Sequence, residues 1–94
     1  MSIFEKADTA LLIKALVSLG TEEEAKLLLE DLLTAKEIDD LSQRLRVAQL
    51  LLNKENYATV SKETGASSAT ISRVNRCVGY GGGGYETVLT KLGE

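Results

Sequence analysis

The residues that could do chemistry in this 94-residue chain are few, and their types exclude most catalytic mechanisms. His is absent and Cys77 is the single cysteine. These absences remove Ser-His-Asp and Cys-His catalysis, His-ligated zinc and an internal disulfide. The carboxylates of Asp39, Asp40 and residues 22–24 are expected on helix faces or in a first helical turn, not as a converging acid–base pair. The sequence therefore predicts a protein that is not an enzyme and that holds no metal or other cofactor.

A binding function is better supported, because residues 57–75 have the pattern of a helix-turn-helix. Ser61 is a small residue where two crossing helices would be closest, and Gly65 permits the positive φ of a turn. Ser67 can cap the second helix. Three apolar residues are expected to seal the core between the helices: Val60, Ile71 and Val74. A plain αα-hairpin with a solvated polar face is the alternative interpretation.

The exposed face of the second helix would suit the major groove of DNA, because its side chains are short or basic. The predicted DNA contacts on this helix and at its cap are Ser67, Ser68, Ala69, Thr70, Ser72, Arg73 and Arg76. Thr70 and Arg76 lie at its flank, where phosphate contact is expected. Further phosphate affinity is expected from Lys54, Lys62, Arg44 and Arg46.

The distribution of charge supports a nucleic-acid partner despite the net charge of −3. Residues 1–40 carry four Lys against ten Asp and Glu, a net of −6. Residues 41–78 carry six Lys and Arg against two Glu, a net of +4, and this block contains the helix-turn-helix. Such asymmetry favours a basic DNA-binding part and an acidic part that faces away from the duplex.

Six helices are expected to position these side chains, because apolar residues recur at three and four positions and no strand-like alternation is convincing. The predicted fold class is all-α. Helices are predicted over about 6–19, from Thr21 onward, and over about 35–53, 57–64, 68–77 and 85–92. T-x-x-E capping boxes mark two of the starts, at Thr21 and Thr34.

These elements predict a single domain over residues 1–94, in which residues 1–53 supply dimerisation helices and residues 56–77 the helix-turn-helix. The helix at 35–53 is apolar on more than one face, so it is either central to a small bundle or shared between two chains. Residues 79–84 match G-x-G-x-x-G, but no strand precedes them. A flexible hinge is therefore predicted at 79–84, with Tyr80 and Tyr85 docking the helix at 85–92 on the fold.

Targeting and membrane patterns are missing from the sequence. No apolar run approaches the ~18–20 residues of a membrane span, and the N-terminal residues lack a signal-peptide pattern. A cytoplasmic protein with a reduced thiol is the corresponding expectation.

Three blocks resemble the tryptophan repressor superfamily: residues 33–37, 43–47 and 65–73. Within that superfamily, the whole chain looks closer to the YerC/YecD-like branch, through Asn75-Arg76-Cys77 and the Gly- and Tyr-containing segment 79–85. The resemblance implies a six-helix fold that forms an intertwined homodimer. It also implies that two helix-turn-helix units bind a palindromic operator in double-stranded DNA.

The resemblance further implies an amino-acid effector pocket, whose matching residues are Thr34, Arg44 and Arg73. Val74 and Cys77 replace the Gly and Ser of the tryptophan repressor. A β-branched residue on the pocket floor should exclude the indole of tryptophan, whereas the smaller imidazole of histidine would fit better. Alternatively, Val74 closes the pocket and no effector binds. Arg73 has two competing assignments, toward DNA by motif geometry and toward the ligand by family.

The sequence thus predicts a homodimeric, DNA-binding transcriptional regulator, a repressor of amino-acid metabolism genes that could respond to an effector. The alternative is a helical protein-interaction module, or an antitoxin-like adaptor, that uses the helix-turn-helix as a scaffold. Charge reversal of Arg73 and Arg76 would distinguish the two functions. It should abolish DNA binding, whereas the binding of an adaptor to its partner could survive.

Overall fold

The structure is a computed structural model that describes residues 2–93. Its helices are α1 (Ala7–Ser18), α2 (Glu22–Leu32), α3 (Ala35–Leu52), α4 (Tyr57–Thr64), α5 (Ser68–Tyr80) and α6 (Gly84–Leu92). A single 3-10 turn, Ile3–Glu5, precedes α1. The described residues contain no strand, so the all-α prediction is confirmed.

The chain divides into two compact units, one ending at Ala35 and the other beginning at Lys36. In the first unit, the Thr21 hydroxyl caps α2 by accepting from the Glu24 N–H, at 3.1 Å. The Glu24 carboxylate accepts from the N–H of Gly20, at 2.9 Å, and not from that of Thr21 as a capping box would require. The predicted box at Thr21 is therefore half correct. The acidic first turn of α2 still suits the positive end of its dipole.

The first unit leaves most of its large apolar side chains exposed. None of the residues of α1 and α2, all of which the structure describes, is buried. Leu11 is 69% exposed and Val17 is 79% exposed. Successive side chains on a helix are rotated by about 100°, so Leu11, Leu12 and Ile13 point in well-separated directions. The helix α1 is thus apolar on several sides, as expected of a helix that is buried in its functional state.

The second unit has its own dry core, which α3, α4 and α5 build together. Its buried residues are Val47, Ala48, Leu50, Val60, Ala66, Ile71 and Val74. Leu51, Val78, Tyr85 and Leu89 pack against them. Along α3, Val47 and Leu50 enter this core while Leu41 and Leu45 remain 41% and 45% exposed. One apolar face of α3 is therefore covered within the unit and another is open.

The C-terminal part differs from the predicted boundaries. The helix α5 continues past Cys77 to Tyr80, and α6 already includes Gly84, so the linker is residues 81–83 and not 79–84. The helix stops where a Cβ on Gly81 would lie 2.4 Å from the carbonyl oxygen of Cys77. Tyr85 packs against the core as expected. Tyr80 does not, because its side chain is 92% exposed.

Candidate nucleic-acid interface

The helix-turn-helix is formed by α4, a short turn and α5, and each boundary has a local cause. The Asn56 side chain caps α4 by accepting from the N–H of Thr59, at 2.9 Å. Gly65 ends α4 at φ 71°, and its N–H donates to the carbonyl of Ser61 at 2.9 Å. A residue with a Cβ would be strained in this left-handed conformation. The Ser67 hydroxyl then starts α5 by accepting from the Thr70 N–H, at 3.2 Å.

The two helices pack through the three apolar residues that the pattern predicts. Val60, Ile71 and Val74 are fully buried or nearly so. Ser61, the predicted small residue at the helix crossing, is instead exposed. The buried small residue is Ala66, in the turn, which sequence reasoning missed. The small residue that packs into the core therefore comes from the turn and not from α4.

Polar side chains of α3 tie the helix-turn-helix to the rest of the second unit. The Gln43 Nε2 donates to the carbonyl of Thr64, at 3.1 Å, and so satisfies an acceptor at the end of α4. An Arg46 Nη2 lies 3.5 Å from a Glu63 carboxylate oxygen on α4. Sequence reasoning missed both contacts, because a single polar residue on a helix carries no pattern that names its partner. They restrain the orientation of α4 relative to α3.

Most of the residues predicted to contact DNA are exposed to solvent on the helix-turn-helix and at the end of α3. Exposed on or beside α5 are Ser67, Ser68, Ala69, Ser72, Arg73 and Arg76. Thr70 is half-buried, and its hydroxyl lies 3.1 Å from that of Ser67. Lys62 is exposed on α4, and Lys54 is exposed just beyond the end of α3. Arg46, predicted as a phosphate contact, already pairs with Glu63 and donates to Gln49 at 2.7 Å.

The residues predicted to line an effector pocket fall into different environments. Val74 is only 1% exposed and belongs to the core, so its side chain is already surrounded by protein. Arg44 is half-buried and Arg73 is exposed. Cys77 is exposed in a largely apolar groove of about 510 Å³. The other residues lining that groove are Leu45, Gly81, Gly82, Gly83, Gly84, Tyr85 and Val88.

Thr34 belongs to the first unit, whereas Arg44 and Arg73 belong to the second. The grouping of these three residues in one pocket therefore stays a prediction.

Metal sites and membrane-spanning helices are both missing from the part of the chain that the structure describes. No group of three or more His, Cys, Asp or Glu side chains is placed to hold a metal ion there. Within residues 2–93, no helix has the length and hydropathy needed to cross a bilayer.

Sequence and structure comparisons with known proteins both lead to the same family. Residues 7–93 match the family model of the Trp repressor protein. The chain belongs to the Trp repressor family. The helix-turn-helix of this Trp repressor family member, α4 and α5, lies entirely inside the matched region.

Three relatives illustrate the breadth of the family. The uncharacterized protein YerC of Bacillus subtilis is 45% identical over 83 residues, which is 88% of this chain and 80% of YerC. A Trp operon repressor homolog of Xylella fastidiosa strain M23 is 38% identical over 64 residues, or 67% of this chain and 70% of the homolog. The crystal structure of a TrpR-like protein from Eubacterium eligens superposes with a TM-score of 0.91 at 42% identity, covering 96% of this chain and 93% of that one.

Proposed function

We propose that this Trp repressor family protein is a homodimeric transcriptional regulator that binds double-stranded DNA through α5. The observation that carries the proposal is the division of α5 into two faces. Ile71 and Val74 fix one face in the core, while Ser68, Ala69 and Ser72 leave the beginning of the other face free of bulky side chains. Short exposed side chains let a helix approach base edges in a groove about 12 Å wide.

Sequence specificity would rest on contacts that short side chains can make. The first turn of α5 offers hydroxyl groups and the Ala69 methyl, which suit hydrogen bonds and contact with thymine methyl groups. Few long polar side chains are available for bidentate base recognition. Water-mediated contacts and the shape of the DNA are therefore expected to contribute much of the discrimination.

Affinity would come from basic side chains around this face. Arg73, Arg76, Lys54 and Lys62 are exposed and belong to the same compact unit as the helix-turn-helix. If a dimer neutralises about four to six phosphates, the logarithm of the binding constant should fall with the logarithm of salt with a slope of about −4 to −5. The acidic first unit would face away from the duplex.

The uncovered apolar surface supports a homodimer. Leu11, Leu12 and Ile13 on α1 point in different directions, so one neighbouring surface could not cover all of them. The second apolar face of α3, with Leu41 and Leu45, is also open. An intertwined pairing of two copies would bury these faces, and its two-fold symmetry would match a palindromic operator.

The regulatory role is proposed from the family. The Xylella fastidiosa relatives are named Trp operon repressor homologs, which supports repression of amino-acid metabolism genes by a cytoplasmic protein. An effector, if one binds, would contact Thr34, Arg44 and Arg73. Val74, which stands where the tryptophan repressor has Gly, would narrow such a pocket, so a small amino acid such as histidine is preferred over tryptophan.

The test is selection of genomic DNA fragments by the purified protein at low salt, with and without a mixture of free amino acids. We expect a short palindrome to be recovered, and a change in recovery on adding amino acids would identify an effector. The double variant Arg73→Glu, Arg76→Glu should no longer retain the DNA, whereas Lys91→Glu, a single charge reversal on α6, should retain it. Failure of the wild-type protein to enrich any sequence would overturn the proposal in favour of a protein-interaction module.

A further inference from the structure

A polar groove of about 730 Å³ runs beside the second half of α5, largely beyond the helix-turn-helix residues 57–75. The end of α3 forms one wall and α6 contributes another. The polar side chains that line the groove are Lys54, Ser72, Asn75, Arg76, Tyr80 and Glu86. All of them belong to the second compact unit, so the groove lies within one part of the fold.

The groove continues the predicted DNA-contact face. Ser72, Arg76 and Tyr80 are spaced four residues apart, so they follow one another along the same side of α5. Ser72 belongs to the proposed base-contact face and Arg76 to its flank. Tyr80 is therefore the next side chain along the row that begins on the proposed DNA-contact face with Ser72.

The cations of the groove are available to a ligand. Lys54 sits at φ 66°, a left-handed conformation, and its N–H donates to the Leu51 carbonyl at 3.0 Å. This bond holds the lysine backbone at the end of α3. Over the described residues, neither Lys54 nor Arg76 forms an ion pair with a carboxylate. An anion entering the groove would not have to displace an existing partner.

The exposure of Tyr80 has no explanation in packing. Its side chain is 92% exposed although it ends a well-formed helix. A tyrosine placed at a surface that becomes an interface can use both its ring and its hydroxyl donor. Lys54, Arg76 and Tyr80 line one groove, and the oxygens of a phosphate group accept hydrogen bonds from side chains of all three types.

We propose that this groove binds a phosphate of the DNA backbone beyond the helix-turn-helix, with Tyr80 donating a hydrogen bond from its hydroxyl to that phosphate. The proposal rests on the proposed function. Lys54 and Arg76 supply two positive charges, and Glu86 on the α6 wall supplies one negative charge that opposes the phosphate. The groove thus remains net positive, and Glu86 limits its affinity.

The experiment measures binding of a fluorescein-labelled, mixed-sequence DNA duplex by fluorescence anisotropy across about 50–200 mM salt. Lys54→Ala should weaken binding and reduce the magnitude of the salt slope by about one for each phosphate that the lysine neutralises. Tyr80→Phe should weaken binding by about tenfold at an unchanged slope, because a neutral donor releases no counterion. Glu86→Gln should strengthen binding.

The matched control is Tyr85→Phe, which removes the same hydroxyl from a tyrosine that packs on the core. It should bind the duplex as the wild-type protein does, and circular dichroism checks that each variant is folded. If the wild-type protein binds and Tyr80→Phe and Glu86→Gln bind equally well, the groove proposal is overturned and the proposed function stands. If the wild-type protein shows no salt-dependent binding, the proposed function fails and this proposal fails with it.

Discussion

Residues 36–93 and residues 2–35 are both helical, but they differ in what covers their apolar side chains. Residues 36–93 bury seven side chains in a core of their own, the first of which is Val47 and the last Val74. In the other, α1 and α2 bury nothing among the residues described, although Leu11 and Val17 are apolar and exposed. The difference separates a part of the chain that provides its own solvent-excluded core from a part whose apolar surface we propose to be covered by a second copy.

The contrast also separates the two roles that we propose, DNA contact and dimerisation. A DNA-contacting helix must be presented rigidly, and α5 is fixed by Ile71 and Val74 within its own unit. A dimerisation region has the opposite requirement, because it must leave apolar surface open until a partner arrives. The sequence places these roles in succession, with the basic block following the acidic one.

The largest expected effect is on assembly. Leu11→Asp and Val17→Asp place a charge where we propose that a second copy packs, so either should raise the dissociation constant of the dimer by at least about 100-fold, since each dimer carries the change twice. Sedimentation equilibrium measures the constant, and circular dichroism follows helix content in parallel. Lys91→Asp adds the same residue to an exposed position of α6, outside the proposed dimer contact, and should leave assembly close to that of the wild type. Unchanged assembly in both apolar variants would mean that α1 is not covered by a second copy.

A smaller effect is expected from the core of the second unit. Ile71→Ala removes buried volume from a side chain that is fully enclosed, and should lower the free energy of unfolding by about 2–5 kcal/mol. Urea unfolding at several protein concentrations should give the same difference at each concentration, because Ile71 packs within its own chain. Ser72→Ala, on the exposed face of the same helix, should change stability by less than about 0.5 kcal/mol. Equal destabilisation in the two variants would contradict the division of α5 into a core face and an exposed face.

The smallest expected effect is at Ser67, where two substitutions can distinguish helix capping from DNA contact. Ser67 caps α5 and is also a predicted DNA contact. Ser67→Ala should cost about 1 kcal/mol of stability because it removes the cap. Ser67→Asp keeps a capping oxygen, so it should remain near wild-type stability while its negative charge weakens DNA binding. Thermal unfolding and anisotropy measured on both variants check this; DNA binding by Ser67→Asp that equals the wild type would remove Ser67 from the interface.

Much of the fold is predictable from the sequence, because helix starts and turns are encoded locally. The Ser67 cap and the left-handed Gly65 depend on residues within a few positions of one another, and both predictions are confirmed. The predicted end of α5 at Cys77 is three residues too early, since Gly79 resembles a helix stop but lies inside the helix. The helix ends instead at Gly81, where the carbonyl of Cys77 leaves no space for a Cβ.

The candidate site is less predictable, because its contacts join residues far apart in sequence. The hydrogen bond from Gln43 to the Thr64 carbonyl spans 21 positions and follows from packing alone. Ser61 and Ala66 are both small, and only the three-dimensional crossing decides that the turn residue is buried. Because Tyr80 is an aromatic residue beside the predicted linker, the sequence predicts that it packs against the core. In the structure its side chain is exposed to solvent.

The separation of the two faces of α5 has an evolutionary consequence. Substitutions at Ser68, Ala69 and Ser72 change side chains that make no contribution to the buried core. If α5 contacts DNA as we propose, a lineage could therefore drift from one operator to another through mutations that cost it little folding stability. Gene duplicates of such a protein would be able to acquire separate regulons while keeping the same architecture, with the inward-facing residues of the helix as the part under constraint.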